Sequence, residues 1–147
     1  FMAGILKHIK EITLFLNSNY KSYERLGSFK APKYITWSSE NRSQLIRIPA
    51  YISQDERRIE LRSPDPLCNP YLAYALLLYA GLDGIENKLI CDKPVNVNLY
   101  NAKSDILDKL DKLPSTINEA YMYASSSEFV KKYIPKRILD TYKNELC

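Results

Sequence analysis

Arg58-Ile59-Glu60-Leu61-Arg62, followed at once by Ser63-Pro64-Asp65-Pro66 and Asn69-Pro70, is the stretch on which the reading of this chain turns. A β-strand sends successive side chains to opposite faces, so Ile59 and Leu61 are expected in a core while Arg58, Glu60 and Arg62 share the other face. That face carries a carboxylate between two guanidiniums. Arginine binds phosphate and carboxylate through paired donors, and a central glutamate is a ligand type for a divalent cation. The row by itself is also the pattern of a solvated strand face with cross-strand ion pairs, the commoner case.

The flanking sequence supplies the scaffold. Met2 to Leu16 places Ile5, Leu6, Ile9, Ile12 and Leu16 at the three-and-four spacing of an amphipathic helix. Asn17 to Phe29 reads as a polar loop holding Arg25, and Lys33 to Trp37, Ser43 to Pro49 and Arg57 to Arg62 read as strands. Ser53 to Glu56 is the expected turn between the last two. Asn69 is placed to cap a helix with Pro70 at its first position and Gly81 just past its end. The body of that helix, Tyr71 to Ala80, is apolar on every side, as suits a helix inside a larger body. Short helical segments follow over Ser104 to Leu113, Ser115 to Ala124 and from Ser125 onward. Ser125 with Glu128 fits a capping box, and Pro135 either kinks the last helix or opens a new one.

Four motifs stand in order along the first hundred residues: Ser22-Tyr23-Glu24-Arg25-Leu26, Asn41-Arg42-Ser43-Gln44-Leu45-Ile46-Arg47-Ile48-Pro49, the Arg58 to Pro66 run, and Asn69 to Ile85. Together with the opening Phe1-Met2-Ala3-Gly4-Ile5-Leu6-Lys7-His8, they resemble the C-terminal catalytic portion of glutamine synthetase of the bacterial type I class. The match runs clearly to about Tyr100; beyond it only Leu113-Pro114-Ser115-Thr116 is similar. The resemblance implies an α+β fold, part of a guanido-kinase-like catalytic domain with antiparallel strands packed on helices. It also implies a division into a catalytic portion, 1–100, and a helical tail, 101–147, used in assembly.

Members of that family phosphorylate the glutamate side chain with ATP and let ammonia displace the phosphate, using two or three Mg²⁺ or Mn²⁺ ions. By motif position, Glu60 matches a metal-binding glutamate, Arg62 and Arg25 match glutamate-binding arginines, and Arg42 matches the catalytic arginine that contacts substrate and the transferring phosphate. Arg47 and Arg58 match ATP-side arginines. These roles suit phosphoryl transfer, which is accelerated mainly by positioning and by cations aimed at the moving charge. The other metal ligands and a small β-domain lie upstream in the family, so this segment alone is expected to be inactive. The chain opens inside an apolar helical pattern without a capping residue, and the natural protein is therefore expected to extend upstream of Phe1. Family members assemble as two stacked rings of six with active sites between neighbouring subunits. Tyr100 falls near a tyrosine that some relatives carry as an adenylylation site, and no modification is expected here.

The departures are as informative. Where the family has V-P-G-Y-E-A-P, this chain has Gly27-Ser28-Phe29-Lys30-Ala31-Pro32. It is one residue shorter, and Lys30 replaces the glutamate that takes a proton from ammonium. A protonated lysine repels ammonium by about 4 kcal/mol at roughly 4 Å and an effective dielectric near 20, on the order of a thousandfold in occupancy or rate. Asp55-Glu56 stands where a lysine near the ATP site is usual, and Glu40 where an arginine is usual. Three functional readings follow: a glutamate-ammonia ligase, a ligase of the same family with another amine substrate, and a non-catalytic pseudoenzyme acting in assembly or regulation.

Composition excludes other classes. The 147 residues are 46% hydrophobic, enough for one sizeable core, and no apolar run reaches the length of a membrane span. The net charge of +4 is a modest excess. Its densest cluster, Lys131-Lys132-Tyr133-Ile134-Pro135-Lys136-Arg137, reads as a solvated helix face and not a nucleic-acid patch. Cys68, Cys91 and Cys147 are odd in number and widely spaced, as reduced thiols in a cytoplasmic protein are. His8, beside Lys7 and Lys10, is expected in solvent, and Asp65 at a turn between prolines.

Overall fold

The computed structural model of the protein describes residues 1–28 and 30–145; the Cys147 thiol lies outside the described residues. In chain order the helices are α1 (Met2–Leu16), α2 (Tyr20–Arg25), α3 (Pro70–Glu86), α4 (Ser104–Leu107), α5 (Ile117–Ser126), α6 (Glu128–Tyr133) and α7 (Lys136–Thr141). The strands are β1 (Trp37–Ser38), β2 (Ile46–Arg47) and β3 (Glu60–Leu61), with 3-10 turns at Gln54–Glu56 and Tyr142–Glu145. The chain divides into two compact units, one of Phe1–Glu24, Pro64–Cys91 and Pro114–Cys147, the other of Arg25–Ser63 and Asp92–Leu113. The segment from Pro114 onward belongs to the same unit as α1 and α3.

The first unit is helical and built on α1. Ile9, Ile12, Leu14, Phe15 and Leu16 are fully buried, so from its second turn the helix is enclosed well beyond one stripe. It meets α3 backbone to backbone. A Cβ on Gly4 would lie 1.9 Å from the Ala80 carbonyl oxygen and 2.7 Å from the Gly84 nitrogen, and one on Gly84 would lie 2.5 Å from the Gly4 nitrogen. Only glycine at both positions permits that approach. Tyr79 of α3 stacks on Tyr133 of α6 with ring centroids 3.9 Å apart.

Helix α3 starts as its sequence dictates: the Asn69 side-chain oxygen accepts from the Tyr71 and Leu72 amides with Pro70 in the first turn. It does not stop at Gly81. It runs to Glu86 and ends in a reverse turn in which Leu89 donates to the Gly84 carbonyl at 2.9 Å and Lys88 to that of Ile85 at 3.1 Å, with Lys88 at φ 51°. Gly81 and Gly84 serve close packing inside the helix instead. Along its outer side Tyr71, Tyr74, Leu78, Leu82 and Ile85 are exposed.

Other boundaries also move. The Asn17 to Phe29 loop contains α2, which begins where the Asn19 side chain accepts from the Lys21 amide. Helix α5 is capped by Thr116, whose hydroxyl accepts from the Glu119 amide. The next cap is Ser127, accepting from Val130, and not Ser125, whose hydroxyl donates back to the Met122 carbonyl. Pro135 opens α7. His8 is buried: Nδ1 faces Glu11 at 3.0 Å and Nε2 faces Asp83 at 2.9 Å, while its ring stacks on Phe129. A residue flanked by lysines in sequence thus becomes the joint between α1 and α3. Asp65 does stand at a turn, its carboxylate accepting from the Leu67 amide.

The second unit holds the sheet, ordered β1-β2-β3, with β1 parallel to β2 and β2 antiparallel to β3. The strands are two residues each, shorter than the sequence suggests. Residues 33–35 leave the sheet to pair elsewhere: Ile35 donates to the Asp111 carbonyl, Leu113 to that of Lys33, and Tyr34 bridges Lys112.

Candidate functional site

The register of β2 against β3 sets the site. Ile46 faces Leu61 and Arg47 faces Glu60, so the buried Ile46 anchors the pair while the polar positions share a face. Arg47 donates to one Glu60 oxygen at 3.1 Å, and Arg62 donates to the other. Glu60 therefore lies between Arg47 and Arg62. The expected partner Arg58 is elsewhere: it is exposed and donates to the Glu56 carbonyl. Ile59 is also largely exposed, since β3 begins only at Glu60 and the alternation expected over Arg57 to Arg62 does not extend back to it.

Arg62 organises its surroundings. A guanidinium has five N–H donors. Nε donates to the Arg42 carbonyl at 2.9 Å, Nη2 to the Lys30 carbonyl at 3.0 Å, and Nη1 to Glu60. Two N–H groups have no partner among the described residues. Arg62 thus fixes the backbone of both the Lys30 loop and the Arg42 loop. Arg25, at the end of α2, donates to the carbonyl of Ser63, the residue after Arg62, at 2.5 Å. Direct bonds therefore join Lys30, Arg42, Arg47, Glu60 and Arg62, place Arg25 next to them in sequence contact, and leave Arg58 aside.

The electrostatics follow from this geometry. Burial works against ionisation of Glu60, but the hydrogen bonds and charges of Arg62 and then Arg47 outweigh it and hold its carboxyl below the usual range. The Arg47 Nε is buried without a protein partner among the described residues, a donor aimed at no backbone or side-chain acceptor. Lys30 adopts φ 65°, a left-handed conformation that presents its carbonyl to Arg62. Tyr100 keeps its proton more firmly than usual, since burial raises its pKa against the opposing charge of Arg62.

A divalent cation of the kind the resemblance implies needs several oxygen ligands. Among the described residues no three His, Cys, Asp or Glu side chains come together to hold one, and both Glu60 oxygens face guanidiniums. These residues by themselves do not make a cation site. Nor, among the described residues, is any helix long and apolar enough to cross a membrane.

Sequence reading overlooked the anchorage of the Arg42 loop. Gln44 is fully buried, and its amide nitrogen donates to the Val95 and Val97 carbonyls at 2.6 and 2.9 Å. The Ser43 hydroxyl accepts from the Leu99 amide at 2.9 Å, Ser38 bonds Asn96, and the Trp37 indole donates to the Asp92 carbonyl. The available signal was a glutamine inside an apolar, strand-prone segment.

Comparison with known proteins agrees with the motifs. The family model for the glutamine synthetase catalytic domain matches residues 1–145, so the match continues past Tyr100 through the helical tail. A glutamine synthetase of Methanosarcina mazei is 44% identical over 145 residues, covering 97% of this chain and 32% of that protein. One of Staphylococcus aureus is 42% identical over 147 residues, covering 98% and 33%. A solved structure titled as a GmaS/ADP complex superposes with a TM-score of 0.83 at 28% identity, covering 98% of this chain and 34% of that one. The chain thus spans about a third of the length of the curated relatives it matches. With the α+β arrangement, the ordered motifs and a family match over nearly every residue, the chain belongs to the glutamine synthetase catalytic-domain family.

Proposed function

We propose that this chain is the acid- and phosphate-binding part of an ATP-dependent ligase that makes glutamine from glutamate and ammonia through γ-glutamyl phosphate. The observation that carries the reading is Arg62, held by Glu60 and by the Arg42 and Lys30 carbonyls with two donors to spare, in a chain of this family. In this reading Arg62 and Arg25 bind the carboxylates of glutamate. Arg42, whose side chain is exposed while its carbonyl is fixed, is the catalytic residue that meets the moving phosphoryl group. Arg47 and Arg58 serve ATP. Guanidiniums held before substrate arrives need little reorganisation as charge develops, which is where phosphoryl transfer gains most.

Glu60 is assigned as one ligand of Mg²⁺ or Mn²⁺, the others coming from residues upstream of Phe1. The segment is incomplete on that account and inactive alone. The helical tail contributes to assembly with neighbouring subunits in stacked hexameric rings, in a cytoplasmic protein with neither nucleic acid nor membrane as partner.

A second reading, a ligase for another amine, is favoured by one observation: Lys30 occupies the ammonium-loop position, and its carbonyl is tied to Arg62. The test is glutamate-dependent ADP release by the complete protein with Mg²⁺, with and without ammonia, and with a panel of small amines. Ammonia-stimulated release supports the first reading. Stimulation by another amine and not by ammonia supports the second, and no glutamate-dependent release at all sinks both.

A further inference from the structure

Buried amides are held in place by what they bond, and Gln44 spends its whole side chain on two segments. Its Nε2 donates to the Val95 and Val97 carbonyls, and its Oε1 lies 2.9 Å from the Ser43 hydroxyl. That hydroxyl accepts from the Leu99 amide and also reaches the Asn41 side-chain oxygen at 2.9 Å, which in turn accepts from the Ser43 amide. The Asn41 turn so formed encloses Arg42, whose carbonyl takes Nε of Arg62. Ser38 closes the other side of the loop, accepting from the Glu40 and Asn41 amides and donating to Asn96.

Gln44, Ser43 and Ser38 are fully or almost fully buried while Arg42 is exposed. An exposed arginine at the tip of a loop loses its orientation readily unless the backbone beneath it is fixed. Beside the Arg62 bond to the Arg42 carbonyl, the fixing comes from a buried amide clamped to the 95–99 segment. We infer that Gln44 is a positioning residue for Arg42: through Ser43 and Asn41 it sets the loop from which Arg42 acts.

This inference rests on the proposed role of Arg42, and the experiment separates the two. In the complete protein, Gln44→Met retains length and apolar volume but removes every amide bond. Ser43→Ala is the milder break in the same chain. Displacement of a reacting group by about 1 Å costs on the order of a hundredfold, so kcat is expected to fall by about 10- to 100-fold in Gln44→Met and less in Ser43→Ala. KM for glutamate and ATP is expected to change less than kcat, since Arg25, Arg47 and Arg62 keep their side chains and Arg62 keeps its bonds to Glu60 and the Lys30 carbonyl. The deciding measurement is the double variant. If Gln44 acts through Arg42, adding Gln44→Met to Arg42→Lys lowers kcat no further than Arg42→Lys does alone. Multiplying losses, an unchanged kcat, or failure of both single variants to fold would make Gln44 a purely structural residue and overturn the inference. A kcat unchanged in Arg42→Lys would instead overturn the role of Arg42 itself.

Discussion

His8→Phe is the substitution that most directly tests how the helical unit is held together. Phenylalanine keeps a flat ring against Phe129, where the imidazole now stacks at 3.9 Å, but cannot bond Glu11 or Asp83. Each hydrogen bond to a charged group contributes about 1.5 to 3 kcal/mol. The loss is softened because Glu11 and Asp83 are 31% and 24% exposed, Glu11 keeps the Ser127 hydroxyl, and Asp83 keeps Lys7. A net cost of about 2 to 3 kcal/mol follows, or roughly 30- to 150-fold faster local opening. Hydrogen exchange at amides of α1 and α3 in the complete protein reads that change directly.

The pH dependence has a definite sign. Burial works against the imidazolium, but the bonds and charges of Glu11 and Asp83 outweigh it, so the His8 pKa is raised from 6.5. Its contribution is fully present below that value and is lost as pH rises through the raised one. The carboxylates run the other way. Glu11 is lowered from 4.5, burial being outweighed by His8 and Ser127, and Asp83 is lowered from 3.8 by His8 and Lys7. Their contribution is present above those values and is lost as pH falls through the lowered ones. Protection of α1 and α3 should therefore exceed that of the variant most at about pH 6, and the gap should narrow as pH rises through the raised His8 pKa. A gap under about threefold at pH 6, or one that does not change with pH, would refute the charged joint.

Two further substitutions address the core and the site. Gly4→Ala drives a methyl group into the Ala80 carbonyl and should destabilise the α1–α3 contact by about 1 to 3 kcal/mol, seen as a lower melting temperature; an unchanged one would mean the helices separate freely. Glu60→Gln, at a side chain 37% exposed, should cost only about 0.5 to 1 kcal/mol of stability yet weaken Mn²⁺ binding by the complete protein about 10- to 100-fold; unaltered Mn²⁺ affinity would leave Glu60 as a counter-charge for Arg47 and Arg62 alone.

Much of the helical framework was legible because its signals are local. The spacing in Met2 to Leu16 and the Asn69-Pro70 start depend only on neighbouring residues, and both helices begin where the sequence places them. The end of α3 was not legible, since Gly81 resembles a terminator but lies under the Phe1 ring, which is supplied by a segment far away in sequence. His8 was misread for the same reason: Asp83 lies 75 residues away. At the site, the row Arg58 to Arg62 correctly marked Glu60 and Arg62 as neighbours. It could not show that register would bring Arg47 across from the next strand, because pairing of two-residue strands is set by Ile46 and Leu61 and not by the charges. The cross-strand ion pair and the row proposed to bind phosphate thus fall on the same residues.

On the proposed reading, the Lys30 position lets the amine change without disturbing the acid. Arg62 takes the carbonyl of residue 30, not its side chain, so the bond is blind to which residue stands there. Lysine and glutamate pay similar strain at φ 65°, and Lys30→Glu should leave that backbone turn intact. Glutamate affinity, assigned to Arg25 and Arg62 in the proposed reading, is then expected to change by less than about twofold, while ammonia-dependent turnover rises on the order of a hundredfold or more as a repelling charge becomes a proton acceptor. A Lys30→Glu variant that lost glutamate affinity would show that residue 30 and Arg62 are coupled through the side chain after all. One that kept glutamate affinity with no gain in ammonia use would assign the amine to a group elsewhere in the complete protein, and the substitution at Lys30 would then carry no information about the acceptor.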